Sequence, residues 1–466
     1  MIKKGFSAVT AILMAATLTL AGCGGSKAPE NAPVTEASQE TGTQEKETSQ
    51  AEESQTTEKE AEEAQEDKTY GKLTISGATG NPDQYMVDAA AMVTGEHPEI
   101  EVEYPPCDTN TREQVIKTAI AAGDPPTLGY YWGTRVNSFY DNGMCLDLAD
   151  LIDPELLAGI NEQMLAPCKG DNGEIYAIPV KCVYHTCYYN TEIFDRYGFE
   201  EPRTWDEMTE IFQKLKEDDI FGFSTNSASM QDCLYGITYG ELDAKVGPGT
   251  AYGVANGDVS VAPGTDAGNV IADCIKQVQE WYEAGYWYPG DGGINCSPDD
   301  ANAAFAQGRC AVIFNFSGSL GTLVPSCDFE IGTFLKPTSD ASIESEENTE
   351  PDVFFIPSNA SPEQINTGVA FLEAILSQEI QQAVVGGNQI PSMTTYEYTD
   401  MSPILEEVID IFNTSRIEAG LNPTRTSSEM QTFIKQQIFA APCSGQMTID
   451  QTLEEMERIR LAAGGQ

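Results

Sequence analysis

The sequence predicts an α/β chain whose folded body divides into two lobes, each a mostly parallel sheet flanked by helices. Two observations carry that reading. From Lys72 onward, strand-length apolar runs alternate with helix-length ones, and such alternation implies parallel strands joined by crossover helices. The stretch from Tyr70 to Gln466 is also rich enough in Leu, Ile, Val, Phe and Tyr for a large core, and long enough for two lobes.

Taken in order, Lys72 to Ser76 reads as a short strand that breaks at Gly77-Ala78-Thr79-Gly80-Asn81-Pro82. Asp83 to Val93 follows with helical spacing of Tyr85, Val87 and Ala90. Glu99 to Tyr104 alternates as a second strand, Thr111 to Ala122 is a helix ended by Gly123, and Thr127 to Trp132 is a third strand. Lys181 to Tyr189 has strand character. Asn269 to Ala284 carries Ile271, Cys274, Ile275, Val278, Trp281 and Tyr282 at helical spacing and stops at Gly285, which places Trp281 in the core. Trp287 lies just past that helix, where a turn can either aim its ring at a cleft between the lobes or pack it inside. Ser339 to Asp352 is polar, acidic and aperiodic, and reads as a surface excursion. Pro362 to Val385 returns to a helix, and Met447 to Ile459 forms a terminal one introduced by Thr448. Ligands of such sheets sit at the carboxyl ends of the strands. That rule gathers the loop Gly77 to Asp83, the segment Tyr130 to Arg135 and the strand Val183 to Tyr189 into one mouth.

Ahead of this body, residues 1–22 read as an export signal: Lys3 and Lys4 form a charged start and Ala8 to Leu20 an apolar run too short to span a bilayer comfortably. The run ends in Leu20-Ala21-Gly22-Cys23, which resembles the bacterial lipobox and makes Cys23 an acylated membrane anchor. An ordinary signal peptide cleaved near Ala21 is the alternative. Residues 23–69 then form a solvated tether, because Gly24 to Thr69 holds 13 acids, 4 bases and no aromatic residue and cannot offset its ordering entropy.

The body carries 60 acids against 19 bases, which argues against nucleic-acid binding, since phosphate neutralisation needs clustered Lys and Arg. Apart from Cys23, eleven cysteines remain with no CxxC pair, an odd number that excludes a complete disulfide framework within one chain. Cys182 and Cys187 flank His185, but alternation along a strand points the two thiols to opposite faces, so they read as buried apolar groups and not as metal ligands. No cofactor is called for.

Six segments in register carry a resemblance. They are Ala119-Ile120-Ala121-Ala122-Gly123-Asp124-Pro125-Pro126, Gly173-Glu174-Ile175-Tyr176-Ala177-Ile178-Pro179 followed by Tyr188-Tyr189-Asn190, Thr204-Trp205-Asp206-Glu207, Phe305-Ala306-Gln307-Gly308-Arg309-Cys310-Ala311-Val312, Gly386-Gly387-Asn388-Gln389-Ile390-Pro391 and Ser444-Gly445-Gln446-Met447-Thr448. Together they resemble family 1 of the extracellular solute-binding proteins of carbohydrate ABC importers, similar to maltose-binding protein. The resemblance implies a two-lobed periplasmic-binding-protein-like fold of type II, closing on a sugar held in the cleft and delivering it to a membrane permease. It implies an N-terminal lobe of 70–180 plus 357–393 and a C-terminal lobe of 181–356 plus 394–466, with crossings near Val180 and Phe354. It implies a monomer held at the outer side of the bacterial membrane by the lipid on Cys23. Carried over by position, Trp132 resembles the aromatic that stacks on sugar, with Tyr131 packed behind it, and Asn81 and Asp83 resemble polar ligands after the first strand. Arg135, Asn226 and Asp232 complete the loop groups that meet hydroxyls, with Trp287 and Phe316 as platforms on the opposing lobe. Two departures stand out. Asn315-Phe316-Ser317-Gly318-Ser319 occupies the place of a Gly-x-Trp turn, and Arg135 is a cation where a sugar carboxylate or phosphate, or a surface acid, is met.

Two other classes remain open on the sequence. A secreted glycoside hydrolase needs only two well-spaced carboxylates, although no Gly-x-Ser-x-Gly, HExxH, Walker or EF-hand motif occurs and only His97 and His185 are available for acid–base work. A sugar-binding sensor or adhesin uncoupled from transport has the same sequence features.

Overall fold

The computed structural model describes residues 68–78, 82–107, 111–170, 172–229, 231–345, 347–414, 417–419 and 428–464. The expected leader, Cys23 and Asn81 lie outside the described residues. The described strands are β1 (Leu73–Ser76), β2 (Val102–Glu103), β3 (Leu128–Trp132), β4 (Ile178–Asn190), β5 (Phe221–Thr225), β6 (Cys310–Phe316), β7 (Ile331–Phe334), β8 (Glu347–Phe355), β9 (Ile390–Pro391) and β10 (Ile417–Ala419).

Their pairing follows the order β2-β1-β3-β8-β4-β6-β5, with β10 beside β8 and both β7 and β9 beside β4. β1, β2 and β3 are parallel to one another, as are β5 and β6, whereas β8 and β4 are antiparallel. The first half of β4 pairs β8 from Ile178↔Phe354 to Tyr184↔Thr349. Its second half pairs β6 from His185↔Phe316 onward and β7 from Cys187↔Phe334. One strand therefore leaves the first sheet and enters the second.

The apolar side chains sort accordingly. One core joins Leu73, Ile75, Ile116, Leu128, Phe139 and Val180 to Val353, Phe354, Phe371 and Leu372. A second gathers Trp205, Phe212, Phe223, Ile271, Trp281, Phe314, Phe439 and Leu453. A third, on the other side of β4, gathers Tyr184, Tyr188, Phe305, Ile313, Leu405 and Phe412. Pleating places Cys182 in the third core and Cys187 in the second, so the two thiols are separated by their own strand.

Local chemistry explains the element ends. The helix Arg112–Ala122 stops at Gly123, whose φ of 77° is a left-handed C-cap that favours glycine. The helix Trp205–Lys216 begins with a capping box, Thr204 and Glu207 each satisfying the other's backbone amide. Thr448 and Gln451 do the same for Ile449–Ala462. The helix expected over Pro362 to Val385 is two, Pro362–Leu376 and Gln378–Gly386. Ser377 lies extended between them and its hydroxyl caps Ile380 N, a local bond that competes with helix continuation. The polar insert Ser339 to Asp352 is a surface excursion only in its first part, because its second part is β8. Backbone pairing to β3, β4 and β10 builds that strand without any help from hydrophobic alternation.

Candidate functional site

The register of three strands lays down the floor of the site. Trp132 on β3 pairs with Asp352 on β8, and Asp352 pairs with Lys181 on β4. Directly opposed residues share a face, so these three side chains form one row across adjacent strands. Lys181 Nζ lies 3.3 Å from Asp352 Oδ2 and 3.1 Å from Asp83 Oδ2. Burial alone would lower the Lys181 ammonium, but Asp352, Tyr85 and Asp83 outweigh it and hold its pKa raised. Asp83 sits at the N-cap of the helix Gln84–Glu96 yet makes no capping bond, its carboxylate being turned to Lys181 instead.

Beside this row opens a cavity of about 390 Å³ lined by Asp83, Tyr85, Lys181, Val183, Phe316, Gly318 and Gln389. Phe316 ends β6 with its ring half-exposed. A Cβ at position 318 would lie 2.7 Å from that ring, so glycine is what allows Phe316 to lie over the chain there. The cavity combines an aromatic face, a fixed ion pair and an amide, the mixture by which pockets orient a small polar ligand.

At the other end of the row, Tyr131 and Trp132 divide as alternation requires: Tyr131 is buried, while Trp132 is half-exposed and packs on the first core. The guanidinium carbons of Arg112 and Arg135 lie 4.5 and 4.7 Å from the centre of the Trp132 ring. Tyr131 donates to Glu113 Oε2 at 3.1 Å, and Glu113 also meets Lys117 and Ser138. Arg135 Nη2 donates to Gln431 Oε1 on the helix Ser428–Gln436.

On the second lobe, Asn226 and Asp232 are both buried. The Asn226 amide donates to Ser229 Oγ at 3.1 Å, and Asp232 Oδ2 lies 3.6 Å from Lys435 Nζ. Trp287 is placed differently from the cleft expectation. It is fully buried and stacks on Phe223 with ring centres 5.4 Å apart. The reason lies in the backbone. Phe223 N donates to Tyr286 O and Tyr288 N to Phe223 O, so residues 286–288 run alongside β5 like a further strand and carry the indole inward.

The structure thus brings Asp83 and Phe316 to one cavity and sets Trp132 and Arg135 together on the same floor, while Trp287 stays apart in the core. Sequence reasoning did not single out Lys181, Asp352, Tyr85, Arg112 or Gln389. Lys181 had a usable signal, a lone cation at the start of an otherwise apolar strand.

Two lobes joined by shared strands, with an aromatic and ionic row beside a cavity, are the architecture of a solute-binding protein. Residues 88–403 match the family model of the bacterial extracellular solute-binding proteins, and the chain belongs to that family. A binding protein of Brucella abortus is 23% identical over 168 residues, 35% of this chain and 40% of the relative. The melibiose/raffinose/stachyose-binding protein MelE of Bacillus subtilis is 29% identical over 132 residues, 28% of this chain and 29% of the relative. The alignments thus span well under half of the curated relatives' length. Among solved structures, a chitin oligosaccharide binding protein superposes with a TM-score of 0.71 at 20% identity, covering 84% of this chain and 98% of that one.

Proposed function

We propose that this protein is an extracytoplasmic substrate-binding lipoprotein of an ABC importer, which binds a carbohydrate between lobes divided near Val180 and Phe354 and delivers it to the permease. The observation that carries the reading is the row Trp132, Asp352 and Lys181, whose Lys181 lines the cavity together with Phe316. A sugar ring offers one face of C–H groups and an edge of hydroxyls, and an aromatic beside fixed charges meets both. MelE and the chitin oligosaccharide binding protein supply the ligand class by their names. Calorimetric titration of the full chain in detergent with raffinose and with chitin oligosaccharides tests the reading. The expected outcome is binding without hydrolysis, with Trp132→Ala losing about 2 kcal/mol or more of affinity and melting nearly as the parent does. A mutant that keeps its affinity removes Trp132 from the site, and one that instead loses roughly 3–5 kcal/mol of stability marks it as core. If no carbohydrate binds, the proposal fails.

Anchoring rests on Leu20-Ala21-Gly22-Cys23 and the acidic stretch behind it. Cys23→Ser is expected to release the protein from the membrane fraction. A variant that stays there as fully as the parent would place the anchor elsewhere.

A further inference from the structure

Among the described residues, Arg112 is a buried charge without a carboxylate to meet it. It is only 5% exposed, and its Nε and Nη1 are buried without a hydrogen-bond partner. The Nε of Arg135 is in the same state. Among the described residues neither guanidinium is paired with a carboxylate, in a body where acids outnumber bases threefold. The nearby acids are engaged: Glu113 holds Lys117, Tyr131 and Ser138, and Asp352 holds Lys181. Two like charges held against one indole, with three buried guanidinium nitrogens left without an acceptor, make a costly arrangement unless something completes it.

The geometry says what would complete it. Both guanidinium carbons sit over the Trp132 ring, a contact with its π face that leaves buried N–H groups for an acceptor. Arg135 is further held by Gln431, which reaches it from the helix Ser428–Gln436. Arg112 opens the helix Arg112–Ala122, whose N-terminal end adds a favourable field for a negative group. We propose that the bound solute carries an oxyanion, a carboxylate, sulfate or phosphate on a sugar ring, which Arg112 and Arg135 read beside Trp132. The inference rests on the carbohydrate reading and narrows it to acidic glycans.

The test compares sugars that differ only in charge. The full chain in detergent is titrated with trigalacturonate and its fully methyl-esterified form, with a sulfated disaccharide and its desulfated form, and with glucose 6-phosphate and glucose. Inorganic sulfate and neutral raffinose complete the set. The expected result is that at least one acidic sugar binds about tenfold or more tighter than its uncharged counterpart, a preference that weakens as salt rises. The pair that shows the preference identifies the oxyanion. Arg135→Gln and Arg112→Met should each cut the acidic-to-neutral affinity ratio to within about threefold. If Arg112→Met fails to fold, as judged by melting, Arg135→Gln decides alone. Neutral sugars that bind as well as every acidic one overturn the inference and leave the carbohydrate reading standing, and so does an acidic preference that survives Arg135→Gln. Sulfate binding that Arg135→Gln abolishes, with no sugar bound, overturns the carbohydrate reading and keeps the oxyanion site. Binding of none of these probes overturns both.

Discussion

His185 shows how one residue ties folding stability to pH. Its ring is buried in the middle of β4, its carbonyl accepts from Lys336 Nζ at 2.7 Å, and Asp232, Lys336 and Lys435 are the charged groups that face it. Burial pushes the imidazole down to about 4, with Lys336 and Lys435 adding to the effect and Asp232 opposing it. The native state therefore holds a neutral ring where the unfolded chain, near pH 6.5, takes up a proton. Stability from this residue is full above pH 6.5 and is lost as pH falls towards 4, because only the unfolded state gains the proton in that window. The loss by pH 5 is expected to be about 2 kcal/mol relative to pH 7. Urea unfolding at the two pH values measures it. In His185→Gln, which cannot titrate, the difference should shrink by that amount, and an unchanged difference would assign the acid sensitivity to other groups.

At the scale of elements, the legible parts were those with a local cause. Gly123, Gly285, Thr204 and Thr448 each mark a helix end through backbone or capping chemistry, and the observed ends fall within a few residues of where those signals put them. Trp281 is core, as helical spacing indicates. Elements whose cause is tertiary were not legible. β8 has no apolar rhythm because its partners on either side supply its stability, and its Asp352 is tolerated inside only because Lys181 meets it. Trp287 was open on the sequence for the same reason. Nothing near it in the chain tells that Trp287 will run beside Phe223 of β5, 64 residues earlier. The same limit applies to the site: Trp132 closes a strand and Asp83 sits at the N-cap of the helix after β1, positions readable from the sequence, while the row that joins Trp132 to Lys181 exists only through the register of three strands.

For the whole molecule, the sheet path runs from the first lobe to the second through β8 and β4. A ligand that touches both lobes favours the closed arrangement only by the contacts that arrangement adds. Small-angle scattering on the Cys23→Ser form is expected to show a smaller radius of gyration once saturated with a sugar found by titration. An unchanged radius would count against hinge closure. The cysteines buried among the described residues bear on how long such a molecule lasts outside the cell. Burial pushes Cys310 up to about 12 and Cys296 and Cys327 to about 11, so these three thiols offer almost no thiolate to an oxidising medium. Once opened, the same thiols become ordinary and reactive, and they can lock together in pairings that the native fold does not contain. Unfolding is then a one-way loss, and the working life of the protein is set by how seldom it opens and not by how readily it would refold.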